Sequence, residues 1–228
     1  MVLDLLAFKA VNFPIKNLME NGDFEKYPVG RTKPNDWYIE DQSGYTTWEI
    51  RDDISLSGSK SLKTNSGDNT KLIKPINFIP GNKYYFLMNV YRNSEINQAW
   101  NQIRILTTNT QHEDNTVLTT YYLNAFPLRT WQKREFVFTA GTNDTGLRLS
   151  NYGQTDMRFD NLLLIDLTAT FGAGNEPTKQ QIVMLLEQFP NSWFDGTQNI
   201  FNAKHFLNVY HKKITELENA ITALGGGS

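Results

Sequence analysis

The chain has 228 residues, a formal net charge of −2 and an isoelectric point near 5.9, with 22 Lys and Arg set against 24 Asp and Glu. Such a length buries a sizeable core, either in one large all-β domain with appendages or in two small domains, and the scattered charges form no basic field of the kind that holds nucleic acid. The lack of cysteine excludes disulfides and thiolate metal sites, and His112, His205 and His211 do not have zinc-motif spacing.

The opening stretch, MVLDLLAFKAVNFPIKN, has a short apolar run with no basic leader and no small-residue cleavage site, which argues against a signal peptide. No segment reaches the roughly 18 apolar residues of a membrane helix, so no membrane insertion is expected. Residues 1–16 are expected to pack against a partner or a neighbouring protomer, with Leu3, Leu6 and Phe8 in a helical seam that Pro14 ends.

From Asn17 to about Thr170, short β-type runs alternate with turn clusters. Strands are expected at Thr46 to Arg51, Ser61 to Asn65, Lys71 to Phe78, Lys83 to Tyr91, Asn101 to Thr107, Val117 to Leu123, Arg134 to Thr139, Gly146 to Asn151 and Met157 to Leu167. The intervening SGSKS, NSGDNT, IPGNK and AGTNDTG are turn chemistry. Strands at this spacing predict a mainly β fold, an antiparallel sandwich or barrel. Phe136 and Phe138 share a face, and in MRFDNLLLI the alternation sets Met157, Phe159, Asn161 and Leu163 opposite Arg158, Asp160 and Leu162.

After Thr170 the period becomes helical. Thr178 and Gln181 are spaced as a capping box, Ile182, Leu185, Leu186 and Phe189 form one stripe, and Pro190 stops the helix. Residues 171–199 thus read as an elbow and helix adaptor. From Ile200, heptad positions a and d fall on Ile200, Ala203, Leu207, Tyr210, Ile214, Leu217, Ile221 and Leu224, with Lys213 at g and Glu218 at e, which predicts self-association through a coiled-coil-like helix over residues 200–224. These residues do not choose between two strands and three. The closing GGGS, residues 225–228, reads as a linker or tag.

Gly172-Ala173-Gly174-Asn175-Glu176-Pro177 follows a strand and opens a helix, as a phosphate loop does. Its third glycine is replaced by Pro177, Glu176 stands where a phosphate needs a donor, and no second βα unit follows. Asp195, at the distance of a ribose-binding acid, lies in the turn SWFDGT. The glycines are therefore expected to bend the backbone. Asp52-Asp53 and Glu113-Asp114 are adjacent acids without the spatial evidence an acid/base pair requires, and neither G-x-S-x-G nor HExxH occurs. No enzyme is expected; a glycan depolymerase is the weakest of three readings.

LLLIDLTATFGAGNEPTKQQ with FPNSWFDGT resembles a segment recurrent in tail, baseplate and fibre proteins of phages infecting Gram-positive bacteria, where it directly follows a β-sandwich. It covers about Leu162 to Thr197. Upstream, NLMENGDFE, a later Trp, SGSKSLK and MRFDNLLLID resemble β-jelly-roll carbohydrate-binding modules of the type attached to xylanases and cellulases, over about Asn17 to Asp166. The resemblance implies a jelly-roll domain over residues 17–170 and a structural calcium tying the first strand to the last. Carried onto this sequence, the ligands are Glu25, Asp160 and backbone carbonyls near Asp23 and in the Ser59-Lys60 turn. That set suits a cation that takes six to eight hard oxygens.

Sugar contacts use aromatic faces against C–H groups, with amides, carboxylates and arginine meeting hydroxyls. Aromatics in polar surroundings are the candidates: Trp48 and Tyr45 in GYTTWEIRDD, Trp100 in NQAWNQIR and Tyr152 in SNYGQTD, with Gln102, Arg104 and Gln154 as hydrogen-bonding neighbours. Trp37 in PNDWYIED is either a ligand contact or a plug of the sandwich end, whereas Trp131 and Trp193 read as packing residues. Together these readings predict a non-catalytic module that binds cell-surface polysaccharide or another glycan. The resemblance places it among other tail proteins in the virion, acting at the host's outer surface as a homo-oligomer, a trimer. The second reading is a structural, oligomerising spacer without a glycan site.

Overall fold

A computed structural model describes residues 12–40, 47–65, 70–96, 101–153 and 155–201. The chain forms twelve strands among these residues: β1 Asn12–Lys16, β2 Tyr38–Glu40, β3 Thr47–Arg51, β4 Ser61–Asn65, β5 Thr70–Pro75, β6 Lys83–Arg92, β7 Gln102–Thr108, β8 Asp114–Tyr122, β9 Trp131–Thr139, β10 Gly146–Tyr152, β11 Asp156–Asp166 and β12 Thr197–Phe201. Two helices, α1 Leu167–Phe171 and α2 Lys179–Leu186, lie between β11 and β12. The strands make two five-stranded antiparallel sheets, ordered β2-β5-β10-β7-β8 and β3-β4-β11-β6-β9, plus the ribbon β1-β12.

Alternation of buried apolar side chains drives the two sheets together. Leu72, Ile103, Ile105, Leu147 and Leu149 from the first sheet meet Trp48, Ile50, Leu62, Phe86, Met88, Met157 and Phe159 from the second in one buried cluster. Phe136 and Phe138 share the inner face as their alternation predicts. In β11 the expected phase holds only as far as Phe159. The register breaks between Asp160 and Leu163, and Asn161 takes a left-handed φ of 53°. Such a bulge adds a residue and reverses the alternation. Leu162 and Leu164 therefore join the core, while Leu163 turns to the outer face, a correction to the periodic reading.

A second apolar cluster covers the outer face of the second sheet. Tyr85, Leu87, Leu163 and Ile165 pack beneath Ile182, Leu185 and Leu186 of α2, with Ile15 and Phe194 completing the layer. The capping box is formed, since Thr178 accepts from the Gln181 backbone while Gln181 returns to the Thr178 N–H. The expected strand ends at Asp166, which caps the short α1 by accepting from Ala169 N at 2.8 Å. The elbow then bends at Gly172 and Gly174, with φ of 88° and 80°. Glu176 braces it, accepting from Thr168 Oγ1 at 2.9 Å and Gly174 N at 3.0 Å and pairing with Lys83.

The ends of the chain need two corrections. Ile200 lies in strand β12, opposite Phe13 of β1, so it is not the start of a helical heptad. The N-terminal segment is held from Asn12 by strand pairing within the chain itself, and Pro14 sits in that strand. The other heptad positions and Leu3, Leu6 and Phe8 lie outside the described residues.

Candidate functional site

Among the described residues, α2 and the elbow cover much of the outer face of the second sheet, and no helix packs on the outer face of the first. Residues directly opposite one another in an antiparallel ladder share a face, about 5 Å apart. The registers therefore arrange this surface in rows. The first row runs Tyr38, Ile73, Arg148, Leu106, Val117 across all five strands. The second runs Lys71, Ser150, Arg104, Thr120, and the third Tyr152, Gln102, Tyr122. Rows two residues apart along a strand stand about 7 Å from each other, on the scale of a pyranose ring.

In the first row Ile73 and Leu106 are fully buried although they do not belong to the sandwich core. At the edge of this row the turn between β7 and β8 brings His112 onto Tyr38, with ring centroids 4.4 Å apart. Asn109 holds that turn, its Oδ1 accepting from Gln111 N and Glu113 N at 3.0 Å each. Arg148 is buried in this row, paired with Asp114 and donating through Nε to Ser150 Oγ at 2.7 Å. Tyr38 and Val117 at the ends of this row are exposed and Ser150 of the second row is buried, whereas Arg104 and the third row are more open than the buried centre of the first. Tyr122 is 55% exposed, and Gln102, Arg104 and Tyr152 are half-buried. Arg104 lies over the Tyr152 ring, 5.4 Å from its centroid.

The structure thus brings Gln102, Arg104 and Tyr152 together on one face. Tyr45, Trp100 and Gln154 lie outside the described residues. Trp48 and Trp37 are corrected: at 0% and 3% exposure both sit in the core, Trp48 with its ring 5.7 Å from that of Phe159, so neither ring reaches a ligand. The polar neighbours of Trp48 occupy the alternate positions of β3, and Trp48 itself points inward. Trp37 takes its other expected role, as a plug. Trp193 packs at the elbow and donates to Leu162 O, while Trp131 forms a half-buried pair with Tyr91 and is not part of the core.

Tyr122 and Tyr38 were not among the sequence candidates. Their signal was present in alternation: Tyr121 and Trp37, their neighbours in sequence, pack inward and force the next ring out.

The expected calcium shell is matched in part. Glu25 reaches the Ser59-Lys60 turn, but Oε1 accepts from Ser59 N at 2.8 Å and Lys60 N at 2.6 Å, so the turn presents N–H groups where a cation needs carbonyls. Lys60 Nζ itself donates to Glu25 O at 2.7 Å. Gly58, with φ of 60°, permits this approach; a Cβ there would stand 2.5 Å from Glu25 Oε1. Glu25 and Lys60 as placed do not fit the roles expected of them. Asp160 is buried and accepts from Leu56 N, Ser57 N and Asn161 N. Burial, with Asp23 nearby adding to it and those three N–H groups opposing, pushes its carboxyl up to about 7. Asp23 is also raised, by burial first and by Asp195 and Glu25. No cluster of three or more His, Asp or Glu suited to a metal occurs among the described residues.

No protein-family model and no curated protein matches the chain. Solved structures of similar fold do. The K3 cleaved adhesin domain of Lys-gingipain from Porphyromonas gingivalis w83 is 12% identical, with a TM-score of 0.50 over 67% of this chain and 98% of that one. The C-terminal family 22 carbohydrate-binding module of Clostridium thermocellum is 12% identical, with a TM-score of 0.46 over 68% and 97%. The enzymatically active domain of tailspike protein 4 from bacteriophage CBA120 is 13% identical, with a TM-score of 0.43 over 65% of this chain and 21% of that one. At these identities the likeness is one of fold, an antiparallel β-sandwich.

Proposed function

We propose that the chain is a non-catalytic glycan-binding module whose site is the outer face of the first sheet. The observation that carries the reading is the row Tyr152, Gln102, Tyr122, in which a planar amide stands between two phenol rings on adjacent strands with Arg104 beside them. Apolar ring faces against sugar C–H groups, with a few aimed polar groups fixing orientation, are what saccharide recognition requires. Tyr152→Ala is expected to weaken glycan binding about tenfold, the loss of one aromatic contact and its hydroxyl. Calorimetry or a glycan array reads this, and unchanged binding would move the site elsewhere. Burial of Trp37 and Trp48 favours the second reading, a spacer without a sugar site, which an array negative at high valency would support.

The setting is a phage tail or baseplate, with the module displayed at the outer surface of a Gram-positive host. The support is the resemblance of Leu162 to Thr197 and the antiparallel pairing of β1 with β12, which sets Asn12 opposite Phe201, so that chain enters and leaves the sandwich at one place. Assembly through residues 202–224 into a trimer multiplies weak sites by effective concentration. Light scattering on the whole chain tests it: single chains would remove the multivalent reading.

A structural calcium is proposed at Asp160 and Asp23. Burial raises both carboxyls and Asp23 adds to the rise at Asp160, a penalty that a divalent cation relieves. Calcium is expected to raise the melting temperature relative to a chelator; equal values retire the site.

A further inference from the structure

Two guanidinium groups converge on one phenol. Arg148 Nη2 lies 3.3 Å and Arg104 Nη1 3.5 Å from the Tyr152 hydroxyl oxygen. Both arginines can only donate, so the phenol oxygen is the acceptor and its own O–H is left to donate to another group. Arg148 is balanced by Asp114. Arg104 has no carboxylate partner among the described residues; its neighbours are the Tyr152 hydroxyl and ring. Arg104 and the Tyr152 hydroxyl therefore stand side by side as donors, with the Gln102 amide and the Ser150 hydroxyl in the neighbouring positions. A neutral sugar hydroxyl both donates and accepts and uses only its acceptor capacity at that donor pair. An anionic group only accepts.

We propose, building on the glycan-binding reading, that the preferred ligand is an acidic glycan, with a carboxylate or phosphodiester oxygen seated between the Arg104 guanidinium and the Tyr152 hydroxyl. Charge-assisted bonds of this type are about twice as strong as neutral ones, and the site's positive charge stands against a chain whose net charge is −2, so the attraction is local. His112 stacks on Tyr38 in the first row, while the proposed seat lies in the second and third.

The experiment is calorimetry on the full chain with three probes: xylohexaose as neutral glycan, hexagalacturonate as carboxylate glycan and a glycerol-phosphate oligomer as phosphodiester. One acidic probe, which also identifies the source of the anion, is expected to bind about tenfold tighter than xylohexaose. That advantage should shrink several-fold between about 20 mM and about 500 mM NaCl. Arg104→Gln should erase the preference, and Arg104→Lys should keep part of it. If xylohexaose binds as tightly as both acids and salt has no effect, the acidic-ligand inference is overturned while the glycan face stands. If no probe binds the wild-type chain, the glycan face itself is overturned. The wild-type salt dependence decides the matter even if the Gln variant does not fold.

Discussion

All four hydrogen-bonding positions of the Asn17 amide are filled inside the protein. Its Nδ2 donates to Leu162 O and Phe194 O, and its Oδ1 accepts from Met19 N and Leu164 N. One side chain thus ties the end of β1 to β11 and to the turn before β12. Asn17→Ala strands three backbone groups, because Leu162 O keeps its bond from Trp193, and should cost about 3 kcal/mol in chemical unfolding. Glu25 makes a comparable clamp at the surface. Burial works against its charge, but the N–H groups of Ser59 and Lys60 outweigh it and hold the carboxyl below its usual 4.5. A depressed carboxyl contributes stability above the unfolded value that is lost as pH falls through the folded one. Glu25→Gln should therefore cost about 1 kcal/mol at neutral pH, a figure kept low because the loop is solvated, and nothing at low pH. Asp160 has the opposite sign: its folded value, about 7, lies above the unfolded 3.8. Its contribution is full below 3.8 and lost as pH rises through about 7. In chelator, wild type should lose stability relative to Asp160→Asn over that interval, and calcium should abolish the trend.

Among the elements, α2 holds the covering layer in place, and its determinants were legible in the sequence: the capping box and the apolar stripe appear where Thr178, Gln181, Ile182, Leu185 and Leu186 predict. Leu186→Ala empties a fully buried position and should cost about 3 kcal/mol by thermal or denaturant melting. A loss under 1 kcal/mol would mean that the layer collapses freely. All nine expected strands are present, because their boundaries are written in Gly, Asn and Pro turns. The strands that escaped notice, β1, β2 and β12, are short or edge elements whose pairing is decided by partners distant in sequence. The bulge at Asn161 escaped for a related reason: one residue in a left-handed conformation reverses the phase of everything after it, and strict alternation has no signal for that. The same difficulty misassigned Trp48. Polar neighbours in sequence mark the opposite face of a strand as well as they mark an exposed surface.

At the scale of the molecule, two sheets enclose one core, helices seal one outer face, and the other is left bearing rings, an amide and arginines in rows. Gln102, Arg104 and Tyr152 could be named from sequence as polar-flanked candidates. Their convergence could not, because it depends on β7 pairing with β10, which sets Arg104 beside Tyr152, 48 positions further along the chain. Function on this account belongs to the surface, through contacts that are weak singly and strong in number. The measurement that tests this most directly is a backbone-amide NMR titration of the whole chain with neutral and acidic oligosaccharides. The account predicts shifts confined to β7, β8 and β10 and centred on Gln102, Arg104, Tyr122 and Tyr152. Shifts centred on the opposite sheet around Tyr91 and Trp131, or none with any oligosaccharide, would contradict it.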